Sequence, residues 1–193
     1  MDNFPIFLDI KDKPVLVIGG GDIAYRKIKL LIKSKPNIKV IAKNICSEIL
    51  DLVEKFSIEI IKKEFHVDDI EFPIIIIAAT NDKSLNKQIA KEGLRKKIPV
   101  NVVDQPSLCT FTMGSIVERG SLIISISSGG KAPVLVRHLR EKLEKLIPDS
   151  YKDLVDLAGK LREKVKKTIK IDYKRRMFWE KFFEIENINS ILK

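Results

Sequence analysis

The first hundred residues alternate between two hydrophobic patterns. Short runs with consecutive apolar positions predict strands at 14–18, 38–42, 58–61, 73–79 and 100–103. Between them, apolar residues fall at helical spacing. Ile28, Leu31 and Ile32 mark a helix over 22–34; Ile45, Ile49, Leu52, Val53 and Phe56 mark one over 45–56; a third is expected over 82–95. The run Pro73-Ile74-Ile75-Ile76-Ile77-Ala78-Ala79 is apolar throughout, which suits a central parallel strand buried on both faces. Strands alternating with helices imply an α/β fold, a Rossmann-type parallel sheet with helices on both faces.

The pattern changes near Thr110. Residues 111–117 and 121–127 read as two strands joined by Glu118-Arg119-Gly120, a hairpin rather than a crossover. A Gly-rich turn, Ser127 to Pro133, leads into a helix over 134–146, which Pro148 ends. From Tyr151 the chain is helical and basic, and Phe178, Trp179, Phe182 and Phe183 fall at the spacing of core or interface packing. Three domains are expected: 1–112, 113–148 with hairpin and helix, and a helical 149–193.

Composition narrows the classes. At 193 residues and 45% hydrophobic, the chain can bury a real core, and no apolar run has membrane-spanning length. The start, Met1-Asp2-Asn3-Phe4, carries no signal-peptide pattern, and Cys46 and Cys109 read as two unpaired thiols of a cytoplasmic protein, with a single disulfide as the alternative. The net charge of +10 suits nucleic acid, a membrane surface or a polyanionic small molecule. Nucleic-acid signatures are missing, which disfavours the first. Lys62, Lys63, Lys96 and Lys97 are expected only to solvate the surface.

The chemistry concentrates at strand ends. The first strand runs directly into Gly19-x-Gly21-x-x-Ala24, with Asp22 and Ile23 opening the helix. The first glycine permits a tight turn, the second lets backbone approach a pyrophosphate, and the small third position lets helix pack on strand. The helix N-terminus adds unpaired N–H groups and partial positive charge. The second strand ends at Lys43-Asn44, where an NAD site often has an acid. Lys43 tolerates a 2′-phosphate and Asn44 can bond ribose hydroxyls, so these residues leave NAD and NADP open. Thr80, Asn81 and Asp82 lie where the rest of a dinucleotide would pass; Asn81 or Asp82 equally suits a helix N-cap. Asp104 ends the last strand of this unit, placed either to accept a proton or to start a turn. Ser127, Ser128, Gly129, Gly130 and Lys131 can hold an anion ahead of a helix, with Arg137, His138 and Arg140 adding charge. His66 and His138 are the only histidines, and no Cys/His cluster has metal-site spacing.

Together these segments resemble the N-terminal half of siroheme synthase and its free-standing relatives, the precorrin-2 dehydrogenases, some of which are also sirohydrochlorin ferrochelatases. The resemblance rests on Pro5-Ile6-Phe7-Leu8, Val17 to Ala24 with Arg26-Lys27, and Ala78 to Asp82. It continues through Asn101 to Asp104, Ser127 to Gly130, and Arg175 to Phe183. It implies a Rossmann domain, a small α+β dimerisation domain and a helical domain in an interlocked homodimer. It also implies NAD-dependent oxidation of precorrin-2 to sirohydrochlorin, with cofactor contacts at Asp22, Ile23, Lys43 and Asn44 and the catalytic aspartate at Asp104. The implied substrate is a polycarboxylate tetrapyrrole. Fe2+ is a candidate second substrate, and no nucleic acid or membrane partner is expected. Lys131, Arg137 and Arg140 are candidates for a basic cleft. Gly114, where relatives often carry proline, and Ala132, where a hydroxyl residue is common, depart from the pattern. The rival reading is a non-catalytic module that binds tetrapyrrole or dinucleotide.

Overall fold

The computed structural model describes residues 3–183, which divide into two compact units between Met113 and Gly114. The first unit is a five-stranded parallel sheet of β1 (Pro14–Ile18), β2 (Asn37–Ile41), β3 (Ile58–Ile61), β4 (Ile75–Ala78) and β5 (Val100–Val102). The strand order is β3-β2-β1-β4-β5, so the chain reverses direction across the sheet between β1 and β4. That reversal is where a doubly wound sheet opens a crevice at its carboxyl edge.

Alternation along the strands divides the core. Val15, Val17, Val40, Ile75 and Ile77 point to one face, where Ala24, Ile28 and Leu31 of α1 (Asp22–Leu31) and Ile49 of α2 (Ser47–Val53) cover them. Leu16, Ile18, Ile41, Ile76, Ala78, Val100 and Val102 point to the other, under Ile89 and Ala90 of α3 (Lys83–Arg95). All four β4 side chains are buried because the strand is central and covered on both sides.

Several expected boundaries shift. α1 ends at Leu31 rather than 34, because a 3-10 turn over Ile32–Ser34 closes on Lys35 at φ 54. α2 covers Ser47–Val53 only; Phe56, expected to be apolar core, is 41% exposed beyond it. Residues 110–111 are not the start of the hairpin. The Thr110 N–H donates to Val100 O at 2.9 Å and the Asn101 amide donates to Phe111 O at 3.0 Å, which holds them along the β5 edge. Of the lysines expected only to solvate, Lys63 pairs with Asp69 at 2.5 Å and Lys96 donates to Ile70 O at 2.8 Å.

The second unit opens with the antiparallel hairpin β6 (Ser115–Arg119) and β7 (Leu122–Ile126). Its turn is Gly120-Ser121 rather than Glu118 to Gly120, with Gly120 left-handed at φ 62 and Arg119 still paired with Leu122. Arg119 reaches α4 (Pro133–Leu146), donating to Glu144 O at 2.9 Å and Ile147 O at 2.7 Å. Those are carbonyls at the helix end, and the guanidinium both satisfies them and complements the helix dipole. A Cβ on Gly114 would sit 2.3 Å from Ser125 Oγ and 3.0 Å from Ile126 O, so a larger residue there requires both neighbours to shift.

The helical stretch from Tyr151 is two helices, α5 (Tyr151–Thr168) and α6 (Asp172–Phe183). Arg175 folds back to donate to Ile169 O and Lys170 O, both at 2.8 Å, and pairs with Asp172, which stabilises the break. The α6 aromatics are not buried in the single chain. They stack on one another instead, as in Trp179–Phe183 with centroids 5.9 Å apart. Residues 184–193 of the expected helical region lie outside the described residues.

Candidate active site at the carboxyl edge of the sheet

The glycine triplet ties three strand ends together. Gly19 sits at φ +117, and a Cβ there would lie 2.2 Å from Ala79 O, so glycine is required both by dihedral and by space. Its N–H donates to Ile41 O at 3.0 Å, while the Ala79 N–H donates to Ile18 O at 2.8 Å. Gly20, not singled out from sequence, is as tightly held. A Cβ on it would lie 2.2 Å from Asn44 O, and its own carbonyl accepts from the Cys46 N–H at 2.8 Å.

Gly21 differs from both. No atom lies within 4 Å of where its Cβ would be. It is the N-cap of α1, with no side chain capping the first turn. The orphan N–H groups of that turn therefore open onto clear space. Asp22 and Ile23 are exposed there, while Ala24 is fully buried against the sheet. A cradle closed by Gly19 and Gly20 and open at Gly21 fits a dinucleotide pyrophosphate.

Lys43 and Asn44 lie exposed just past β2, and Lys43 is ion-paired with Glu64. Past β4, the Thr80 hydroxyl is 2.7 Å from Asn86 Oδ1, and the Asn86 amide donates to Thr80 O at 2.9 Å. Asn86 is buried, so this pair fixes the turn leaving the strand. Asp82 caps α3, accepting from the Ser84 and Leu85 N–H groups at 2.8 and 3.0 Å. Asn81 stays exposed beside it.

Asp104 does not end β5, which stops at Val102. It occupies a turn in which the Gln105 N–H donates to Val102 O at 3.4 Å, and its own φ is +56. Aspartate tolerates this left-handed geometry better than most residues, and the turn leaves the carboxylate exposed at the crevice. Cys109 fastens the base of this loop. Its sulfur accepts from the Val102 N–H at 3.1 Å and lies 3.2 Å from Val102 O. Lys27 of α1 approaches the same corner. Burial lowers its pKa, while Cys109 and Asp104 act in the opposite direction, favouring the ammonium. Glu64 and Lys27 were not singled out as site residues from sequence, because each acts through a partner distant along the chain, whereas Cys109 acts locally through Val102 and Gln105.

In the second unit, Ser127 Oγ accepts from the Gly129 N–H at 3.2 Å and Ser128 Oγ accepts from the Ala132 N–H at 3.0 Å. Gly129 and Gly130 are left-handed at φ 62 and 81, and Pro133 starts α4. Lys131 and Arg137 are exposed around this turn, whereas Arg140 pairs with Glu144 at 2.5 Å along the helix. The structure thus gathers residues 19–24, 43–44, 80–82 and 104 at one sheet edge, and residues 127–131, 137 and 140 in or just before α4. A groove of about 630 Å3 between α5 and α6, lined by Arg162, Lys166, Arg175 and Trp179 among others, includes none of the predicted site residues. Among the described residues, no group of three or more His, Cys, Asp or Glu side chains is placed to hold a metal ion. Nor, among them, is any helix long and apolar enough to cross a membrane.

Comparison with known proteins places these features in a family. Residues 6–115 match a family described as putative NAD(P)-binding, residues 119–146 the sirohaem biosynthesis protein central region, and residues 150–192 the sirohaem synthase dimerisation region. A siroheme synthase of Ruthia magnifica subsp. Calyptogena magnifica is 49% identical over 183 residues, 95% of this chain and 39% of the relative. One from Buchnera aphidicola is 41% identical over 192 residues, all of this chain and 41% of the relative. The chain thus spans about two-fifths of the length of the curated relatives it matches. Among solved structures, SirC, a precorrin-2 dehydrogenase, superposes with a TM-score of 0.79 at 25% identity, covering 99% of this chain and 94% of that one. The chain belongs to the putative NAD(P)-binding family, in the form that continues into the sirohaem biosynthesis central and sirohaem synthase dimerisation regions.

Proposed function

We propose that this chain is an NAD-dependent dehydrogenase that oxidises precorrin-2 to sirohydrochlorin, working as a cytoplasmic homodimer with Asp104 as general base. The observation that carries the reading is the exposed Asp104 carboxylate, held at φ +56 on the sheet edge that also bears the open Gly21 cradle. The likeness to a precorrin-2 dehydrogenase over nearly the whole of both chains supports it. The three-part division at 112/113 and 148/149 belongs to the same proposal.

Gly19, Gly21, Asp22, Ile23 and Ala24 would hold the pyrophosphate, with Lys43 and Asn44 toward the ribose and Thr80, Asn81 and Asp82 along the remaining path. Bound NAD supplies the acceptor for two electrons and one hydrogen nucleus. The oxidation releases one further proton, and Asp104 takes it at a carboxylate oxygen. Lys131, Arg137 and Arg140 provide cationic contacts for a polycarboxylate substrate. Most of the rate enhancement comes from fixing two rings and one base in reactive register.

Anaerobic incubation with precorrin-2, followed by absorbance, tests the proposal. Sirohydrochlorin forming with NAD and not without it is the expected result; no conversion by folded protein with NAD or NADP refutes it. Iron insertion would draw on the same Asp104 to accept pyrrole protons. A rate of Fe2+ insertion above the protein-free control assigns that second activity, and an equal rate excludes it.

A further inference from the structure

We propose that Glu64 is a specificity-determining residue, selecting a dinucleotide with a free ribose 2′-hydroxyl over one carrying a 2′-phosphate. The inference rests on the dinucleotide site proposed above and deepens it. In doubly wound sheets, the ribose beside the pyrophosphate lies at the end of the second strand, where an acidic residue reads its hydroxyls. Here that strand ends in Ala42-Lys43-Asn44 and offers no acid. By itself, Lys43 would welcome a 2′-phosphate.

The neighbouring strand supplies the missing carboxylate. β2 and β3 pair in parallel with Ile41 opposite Ile61, and the Ala42 N–H extends the ladder to Ile61 O at 3.3 Å. The two strands therefore leave the sheet side by side. The β3 exit folds back, with the Lys63 N–H donating to Ile61 O at 3.1 Å, and Glu64 ion-pairs with Lys43. The next cation along, Lys63, is itself paired with Asp69, whose carboxylate also accepts from the His66 N–H at 2.8 Å.

The Lys43–Glu64 pair has little to do with stability. Its side chains are 67% and 65% exposed, and pairs that wet contribute little to folding. What it changes is the charge presented where a ribose 2′ substituent arrives. The bond to Lys43 holds the Glu64 carboxyl below its usual range, so it is ionised at neutral pH. A 2′-hydroxyl can donate to that carboxylate. A 2′-phosphate, carrying a charge of about −1.5 to −2, must displace it or lie against it.

Equilibrium binding of NAD and of NADP, measured by titration calorimetry at low and at physiological salt, tests this without turnover. Wild type should bind NAD about tenfold or more tighter than NADP. Glu64→Gln should narrow that ratio about tenfold, mainly by tightening NADP, and Glu64→Ser should do the same. Adding Lys43→Met to Glu64→Gln should remove the gain. Glu71→Gln, which breaks the Lys39 pair at 2.8 Å, should leave the ratio unchanged. Both Glu64 variants keeping the wild-type ratio, with NAD still bound tightly, overturns the inference alone. Wild type binding neither dinucleotide, or preferring NADP, overturns the NAD reading with it.

Discussion

Replacing Gly19 and Gly21 separately by alanine divides the scaffold role of the cradle from its ligand role. At Gly19 the new Cβ would lie 2.2 Å from Ala79 O and 2.7 Å from Ala79 C, both backbone atoms, at φ +117. Holding a side-chain-bearing residue in so sparse a region costs about 1–3 kcal/mol, and the displaced backbone about 1–3 more. The sum, about 2–6 kcal/mol, corresponds to a Tm loss of about 4–24 °C for a chain of 193 residues. At Gly21 the φ is −92, ψ −171, and no atom lies within 4 Å of the Cβ position. Alanine there should leave the fold intact or raise stability by about 0.4–1 kcal/mol through the unfolded chain. Yet the methyl group would occupy the space proposed for the pyrophosphate, and NAD affinity should fall about tenfold or more, near 1.4 kcal/mol. Thermal unfolding and calorimetric NAD titration of both variants provide the comparison. Equal Tm losses at the two positions, or Gly21→Ala binding NAD like wild type, would refute the reasoning.

Three further outcomes follow from individual contacts. Cys109→Ala leaves the Val102 N–H without its sulfur acceptor and should cost about 1–2 kcal/mol in denaturant unfolding, lowering kcat more than NAD affinity; Cys109→Ser should recover most of both. Lys27 has a folded pKa below 10.5, so the unfolded chain binds more protons as pH rises toward that value, and stability from this group increases with pH. Lys27→Met should lose this alkaline gain in unfolding measured at pH 7, 9 and 10.5, and an unchanged slope would remove Lys27 from the account. Arg119→Ala removes the donors to Glu144 O and Ile147 O and should destabilise the second unit by about 1–3 kcal/mol, visible as lower helix protection in hydrogen exchange.

What could be read from the sequence was local. The β4 run is apolar throughout because both its faces are covered, and Gly19-x-Gly21 carries its own turn geometry. Consequently the sheet, its order of elements and the cradle were legible. Residues that act across the chain were not. Glu64 meets Lys43 only because β2 and β3 leave the sheet together. Gly20 is needed only because Asn44 O crosses above it. The early start assigned to the hairpin failed for a similar reason: Phe111 looks like a strand residue, but it and Thr110 sit in a bend that bonds to the β5 edge. The break between α5 and α6 has no glycine or proline to announce it and depends on Arg175 folding back. For Asp104, sequence supplied the residue and its neighbourhood, whereas the left-handed turn came from the loop that Cys109 closes.

The central claim is that Asp104 takes a proton in the NAD-dependent oxidation of precorrin-2. Asparagine shares aspartate's tolerance of the left-handed region and nearly its shape, so Asp104→Asn removes the base without disturbing the turn. The decisive measurement is anaerobic single-turnover conversion of precorrin-2 by wild type and Asp104→Asn, with NAD affinity determined on the same preparations. The account predicts a fall in rate of about 100-fold or more with NAD affinity within about twofold of wild type. Conversion by Asp104→Asn at the wild-type rate would contradict it.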